Sequence, residues 1–229
     1  MPLVKDLPRP SSRMGMCWTL GTIENLAILE FGQMGHSVYH KKFMEIEGAN
    51  IKGVFYSTHI DEKDIALGLE DKVYKTIKEI ETNDYIQAIA LIPSSTGEVI
   101  GTDYNAIVDE IISEEMTKLP FFTVSMGSTK FTEKDGASES LYEITKNLTK
   151  DYSSDETINI IGAVTKISNI KLIEEIKLKN NVRTILSYTT SVKEITKLTK
   201  ATKNIVINDV GLKTAEYLKN TFNMPYSVV

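Results

Sequence analysis

No run of hydrophobic residues in this chain approaches the ~20 needed to cross a bilayer as a helix, which excludes a helical membrane span. The opening stretch MPLVKDLPRPSSRMG has charges with no apolar segment between them, so no secretory signal is expected. Cysteine is nearly absent. The single one, Cys17, rules out an internal disulfide and fits a reducing compartment, so a cytoplasmic protein is expected. Positive charge is in deficit, with 26 Lys plus Arg against 31 Asp plus Glu and a net charge of −5. A nucleic-acid binder needs a basic patch, and none is written here. Acidic and basic residues interleave instead, as in EEIKLKNN and VKEITKLTK, the pattern of solvated helix faces. Neither a GxGxxG nor a GxxxxGK[ST] motif is present, and Gly127-Ser128-Thr129-Lys130 lacks the spacing of a phosphate loop. A GxSxG nucleophile turn is missing as well.

What the chain does have is a repeated grammar. Its 229 residues, 41% hydrophobic, are enough for one large α/β domain or two small ones. Three early segments each read as an apolar run, a loop of small residues and an amphipathic helix: LAILEF–GQMGHS–VYHKKFMEI, AIALIP–SSTGEVIGTD–YNAIVDEII and, more loosely, FFTVSM–GSTKFTEKDGASES–LYEITKNL. Residues 1–15, with three of the six prolines, read as an irregular arm, and 17–25 as a short helix. Strands are expected at 26–31, 50–57, 86–92 and 121–126, and helices at 34–47, 70–82, 104–115 and 139–148. A polar stretch at 150–157 marks a boundary, giving units 1–150 and 151–229. Beyond it the grammar restarts, with strands at 158–162, 182–186, 204–207 and 226–229 and helices at 170–179, 192–198 and 212–222. Strands alternating with helices at this spacing mean βαβ units with parallel sheets, so the expected fold is α/β, two Rossmann-like units flanked by helices. The last strand runs to Val229 with no closing helix, and a continuation or a partner chain is expected to complete it.

Loops that follow parallel strands lie where open α/β sheets bind ligands. The turn around Gly35 and the segment Ser94, Ser95, Gly97 and Glu98 are therefore the candidate binding loops, each ending at a helix N-terminus that favours an anion or electron-rich ligand. The same turns also arise from the need of any α/β protein for small residues there. Three histidines occur, and His36 and His40 are spaced to face one way on a helix, a spacing that presents two imidazoles to a metal. No HExxH accompanies them, which removes the metalloprotease reading.

Taken in order, these motifs resemble the nitrogenase component 1 family, which includes the dark-operative protochlorophyllide reductase subunits. The resemblance begins with Cys17 ahead of a short helix and continues through LAILEFGQMGHS and STHIDEKDIALGLEDKV. It is most specific at SSTGEVIGTD, where the family has a cysteine before a Glu-Val-Ile-Gly-Asp-Asp run, and it carries on through NIIGAV and NIVINDVGLKTAEYLKNTFNMPY. Full subunits of that family are about twice this long. The resemblance implies an oxidoreductase subunit that receives electrons from an ATP-dependent iron–sulfur reductase through an iron–sulfur cluster shared with a homologous subunit. Cys17, His36 and Ser95 would then be the metal-site residues, and Gly35, Ser94, Gly97 and Glu98 the cofactor-binding ones. Gly35-His36 stands where the family usually has Gly-Cys, and Ser95 where it has another cysteine. Those departures point to the alternative of a non-catalytic scaffold or carrier for a metallocofactor or tetrapyrrole. Cys17, His36 and Ser95 are expected to converge at the carboxyl edge of one sheet.

Overall fold

A computed structural model describes residues 10–32, 34–46, 48–60, 70–124, 126, 131–163, 170–188 and 190–229, without the side chains at 34, 36, 37 and 70. Two four-stranded sheets, every pairing parallel, make up the frame. The first contains β1 (Leu26–Glu30), β2 (Val54–Ser57), β3 (Ala88–Ile92) and β4 (Phe121–Thr123) in the order β2-β1-β3-β4. The second repeats that order as β6-β5-β7-β8, with β5 (Ile158–Ala163), β6 (Val182–Ser187), β7 (Lys203–Val206) and β8 (Tyr226–Val228). In each sheet the chain leaves the central strand to one side and then returns to the other. The reversal falls between β1 and β3, and again between β5 and β7, and such points are where parallel sheets open a crevice at their carboxyl ends.

The helices are α1 (Ser12–Leu20), α2 (Met34–Ile46), α3 (Glu70–Ile80), α4 (Ser95–Ile100), α5 (Tyr104–Ser113), α6 (Glu133–Leu148), α7 (Ile170–Lys179), α8 (Val192–Ile195) and α9 (Leu212–Phe222). None of the described helices is long and apolar enough to span a membrane.

Strand alternation sets the layers, because successive side chains point to opposite faces. On one face of the first sheet, Ala27, Leu29, Ile89 and Leu91 pack with Val73, Ile77 and Ile80 of α3 and Ile107 and Ile111 of α5. On the other, Leu26, Ile28, Ala88, Ala90 and Ile92 join a core shared with Ile161, Leu186 and Val206 of the second sheet. That shared core contains Met16, Cys17 and Leu20 of α1 and Leu141, Ile144 and Leu148 of α6, so these two helices lie between the sheets. They approach closely through glycine. A β-carbon on Gly15 would stand 1.9 Å from the Glu133 carbonyl oxygen, and one on Gly136 would stand 1.9 Å from that of Ser12. The backbone joins the two units as well: the Glu24 amide donates to the Thr190 carbonyl, and the Val192 amide to that of Glu24, each at 3.0 Å.

The expected elements differ from these at several ends, the strands at 50–57 and 121–126 being shorter and the loop at 95–100 helical, and two of the differences have a plain physical cause. Residues 12–15, expected in an irregular arm, open α1, because a helix there buries Ser12, Arg13, Gly15 and Met16. α6 starts at Glu133 rather than 139, since Thr132 and Asp135 form a reciprocal capping box that fixes the first turn. β8 pairs with β7 alone and is an outer strand with Val228 exposed.

Candidate functional site

The edge at which β1 and β3 end is built from the carboxyl ends of both strands and the helix that precedes them. β1 ends at Glu30, a carboxylate closing an otherwise aliphatic strand, and its side chain is fully buried. An ionised carboxylate in that position requires partners. It has three. The Arg13 guanidinium donates to Oε2 at 2.6 Å, while His40 Nδ1 lies 3.0 Å and the Cys17 sulfur 3.4 Å from Oε1. Cys17 Sγ and His40 Nδ1 are themselves 3.4 Å apart, which closes a triangle. Arg13 and Cys17 sit one helical turn apart on α1 and so face the same way. His40 enters from α2, which Trp18 anchors to α1 by stacking on Phe43 with ring centroids 5.3 Å apart.

Burial opposes charge on Glu30, but the His40 hydrogen bond and the charges of His40 and Arg13 outweigh it, with help from the Cys17 thiol, and hold Glu30 below the usual carboxylate value. At Cys17 burial acts first and the Glu30 charge adds to it, pushing the thiol well above its ordinary value. Arg13 offsets only part of that rise. Glu30 is thus the anion of the network, and Cys17 carries its proton.

The β3 side of this edge lies against the network. Ser94 caps α4, its Oγ accepting from the Gly97 amide at 3.1 Å, while its own amide donates to the Tyr104 hydroxyl at 3.2 Å. Gly97 is small for a clear reason, because a β-carbon there would stand 1.7 Å from that hydroxyl. A β-carbon on Gly32 would meet Ser94 Cβ at 3.0 Å and Arg13 Nη2 at 3.8 Å, so the two turns touch beside the ion pair. The Gly32 amide donates to Thr58 Oγ1 at 3.0 Å, which draws the end of β2 to the same edge.

Of the residues singled out by sequence, Cys17, Ser94 and Gly97 are buried at this edge. Ser95 is exposed at the start of α4, Glu98 is half-buried in its first turn, and Gly35 is exposed inside α2. The His36 side chain lies outside the described residues. Sequence reasoning misses Arg13 and Glu30 as site residues and raises His40 only as the partner of His36, although each leaves a signal. Glu30 is the one charge in LAILEF, Arg13 precedes Cys17 by four positions, and His40 follows His36 by four.

The family model described as "Nitrogenase component 1 type Oxidoreductase" matches residues 11–229. The chain belongs to that family. A light-independent protochlorophyllide reductase subunit of Tetradesmus obliquus is 27% identical over 183 residues, covering 73% of this chain and 34% of the relative. The corresponding protein of Stigeoclonium helveticum is 27% identical over 184 residues, with 73% and 36% covered. This chain therefore spans about a third of the length of those curated relatives. Among solved structures, "Nitrogenase Cp1 at pH 5" superposes with a TM-score of 0.78 at 18% identity, covering 98% of this chain and 49% of that one. "Nitrogenase Cp1 at pH 6.5" gives 0.80 at 12% identity, covering 100% and 56%. At such identities the likeness shows the fold.

The residues of this edge do not by themselves fit an iron–sulfur cluster. Clusters are held by about four thiolate-type ligands, and this component 1-type chain has one cysteine. Its sulfur is sealed at 0% exposure against Glu30 and His40. The Ser94 hydroxyl is committed to capping α4, and Ser95 faces solvent.

Proposed function

We propose that this chain is a component 1-type subunit acting as the scaffold or carrier part of a reductase assembly, and that it does not itself hold a cluster. The observation that carries this reading is the closed Arg13–Glu30–His40–Cys17 network. Where a cluster ligand would present an open thiolate, Cys17 is a buried, protonated thiol locked to a carboxylate. Its role in such an assembly is to supply a rigid parallel-sheet frame and a face for a homologous subunit, with a metallocofactor or tetrapyrrole as the cargo carried between them. A free buried cysteine suits a reducing compartment such as the cytoplasm.

A second reading is favoured by a different observation: Cys17, Glu30 and Ser94 gather where β1 and β3 end, the edge at which parallel sheets take their ligands. In that reading the chain is an oxidoreductase subunit served by an ATP-dependent iron–sulfur reductase, and a homologous subunit facing that edge brings the missing thiolates. Anaerobic purification with iron and acid-labile sulfide analysis separates the two. The scaffold reading expects neither iron nor labile sulfide in the chain purified alone, and none that depends on Cys17 in the complex with the homologous subunit. Stoichiometric iron and sulfide in the co-purified complex, lost on Cys17→Ala, would replace it with the oxidoreductase reading.

A further inference from the structure

We propose that Cys17, Glu30 and His40 form a mononuclear site for a borderline-soft divalent cation of the zinc type. The inference rests on the cluster-free reading above. Sγ, Oε1 and Nδ1 are separated by 3.4, 3.4 and 3.0 Å. A tetrahedral zinc with its usual bonds of about 2.0–2.3 Å to sulfur, nitrogen and oxygen needs ligand–ligand edges of roughly 3.3–3.6 Å. Two of the three edges already match, and the third opens by a few tenths of an ångström on the scale of those bonds.

The three donor atoms all lie within 4.8 Å of one another, so one ion can reach them together. The donor set is one thiolate, one imidazole and one carboxylate, which leaves a fourth position for water, the arrangement of open zinc sites. Arg13 holds Oε2, so Glu30 is oriented to offer Oε1 alone, the part an outer-shell partner plays around a metal ligand. On binding, the Cys17 S–H bond breaks, a sulfur–metal bond forms, and the proton leaves to solvent, one per ion.

Cobalt(II) titration of the metal-stripped protein tests this, with zinc(II) as the competitor. One equivalent should produce a thiolate-to-cobalt charge-transfer band in the near ultraviolet and tetrahedral ligand-field bands in the visible. Zinc should abolish both. Cys17→Ala should remove the charge-transfer band, and His40→Gln should weaken binding by more than about tenfold, since even outer-shell changes cost 10- to 100-fold. Far-ultraviolet circular dichroism should show both variants folded, and His40→Gln stands alone if Cys17→Ala does not fold. A folded protein with no saturable cobalt band, or a band that survives His40→Gln unchanged, overturns the site. Acid-labile sulfide in the untreated protein would instead overturn the cluster-free reading, so the two failures are distinguishable.

Discussion

Glu30 concentrates the electrostatic stakes of this molecule in one side chain. Its carboxylate is fully buried and bonded to Arg13, whose side chain is 7% exposed. Breaking such a pair from one side leaves a charge with no compensation, which costs about 3–5 kcal/mol, whereas replacing both partners by neutral groups is far cheaper. Arg13→Met should therefore lower stability by about that amount, and Arg13→Met with Glu30→Gln should recover part of the loss, a coupling that a double-mutant cycle in urea reads directly. If the two losses simply add, the pair is not the unit described here. The sequence makes Cys17 legible as a site residue because cysteine is so scarce. It hides Glu30, because the apolar pattern of LAILEF identifies a buried strand and says nothing of what a charge at its end meets. That depends on Arg13 and His40, which arrive from two other helices and acquire their positions only through packing.

At the scale of elements, the parallel strands and most helices are readable from sequence, because hydrophobic periodicity and capping residues are local signals. Thr132 with Asp135 is such a signal, and it is masked at the start of α6 because GSTKFTEKDG is rich in turn residues. What is not local is how elements are tied at their ends. Glu81, just beyond α3, illustrates this: its Oε1 accepts from the Lys118 amide at 2.7 Å and from Thr117 at 2.9 Å, and Lys78 lies 3.1 Å from Oε2. Burial opposes the charge, but the Lys118 amide, then Lys78 and Thr117, outweigh it and hold Glu81 below the ordinary carboxylate value. A carboxylate with a depressed folded value adds stability above its unfolded value, about 4.3 for Glu, and loses it as pH falls through the folded value. Wild type should thus lose stability more than Glu81→Gln on acidification below about pH 5, and the gap between them should narrow. Thermal melts of both proteins from neutral pH into that range check it, and a constant gap would show that the clasp carries no linkage.

For the whole molecule, the polar stretch around residue 150 reads as a boundary, and we propose that it is a connection in the chain but not in the energetics. α6 supplies Leu141, Ile144 and Leu148 to a core that also holds Ile28 and Ile92 of the first sheet and Ile161 and Val206 of the second. The same helix reaches α9 through Tyr142, edge-to-face with Tyr217 at 5.6 Å, and through the ion pair of Glu139 with Lys213. A cavity in this layer is shared by both sheets. Leu141→Ala removes a fully buried side chain from it and should cost about 2–5 kcal/mol, the range for such truncations. The loss should appear in both units together. Trp18, stacked in the first unit, reports one by fluorescence, and hydrogen exchange at the β5 and β7 amides reports the other. Coincident shifts would mean that the two sheets unfold as one body, as expected when a single core spans them. If the β5 and β7 amides keep wild-type protection while Trp18 unfolds early, the units are energetically separate, and residues 151–229 should then stand as a domain in their own right.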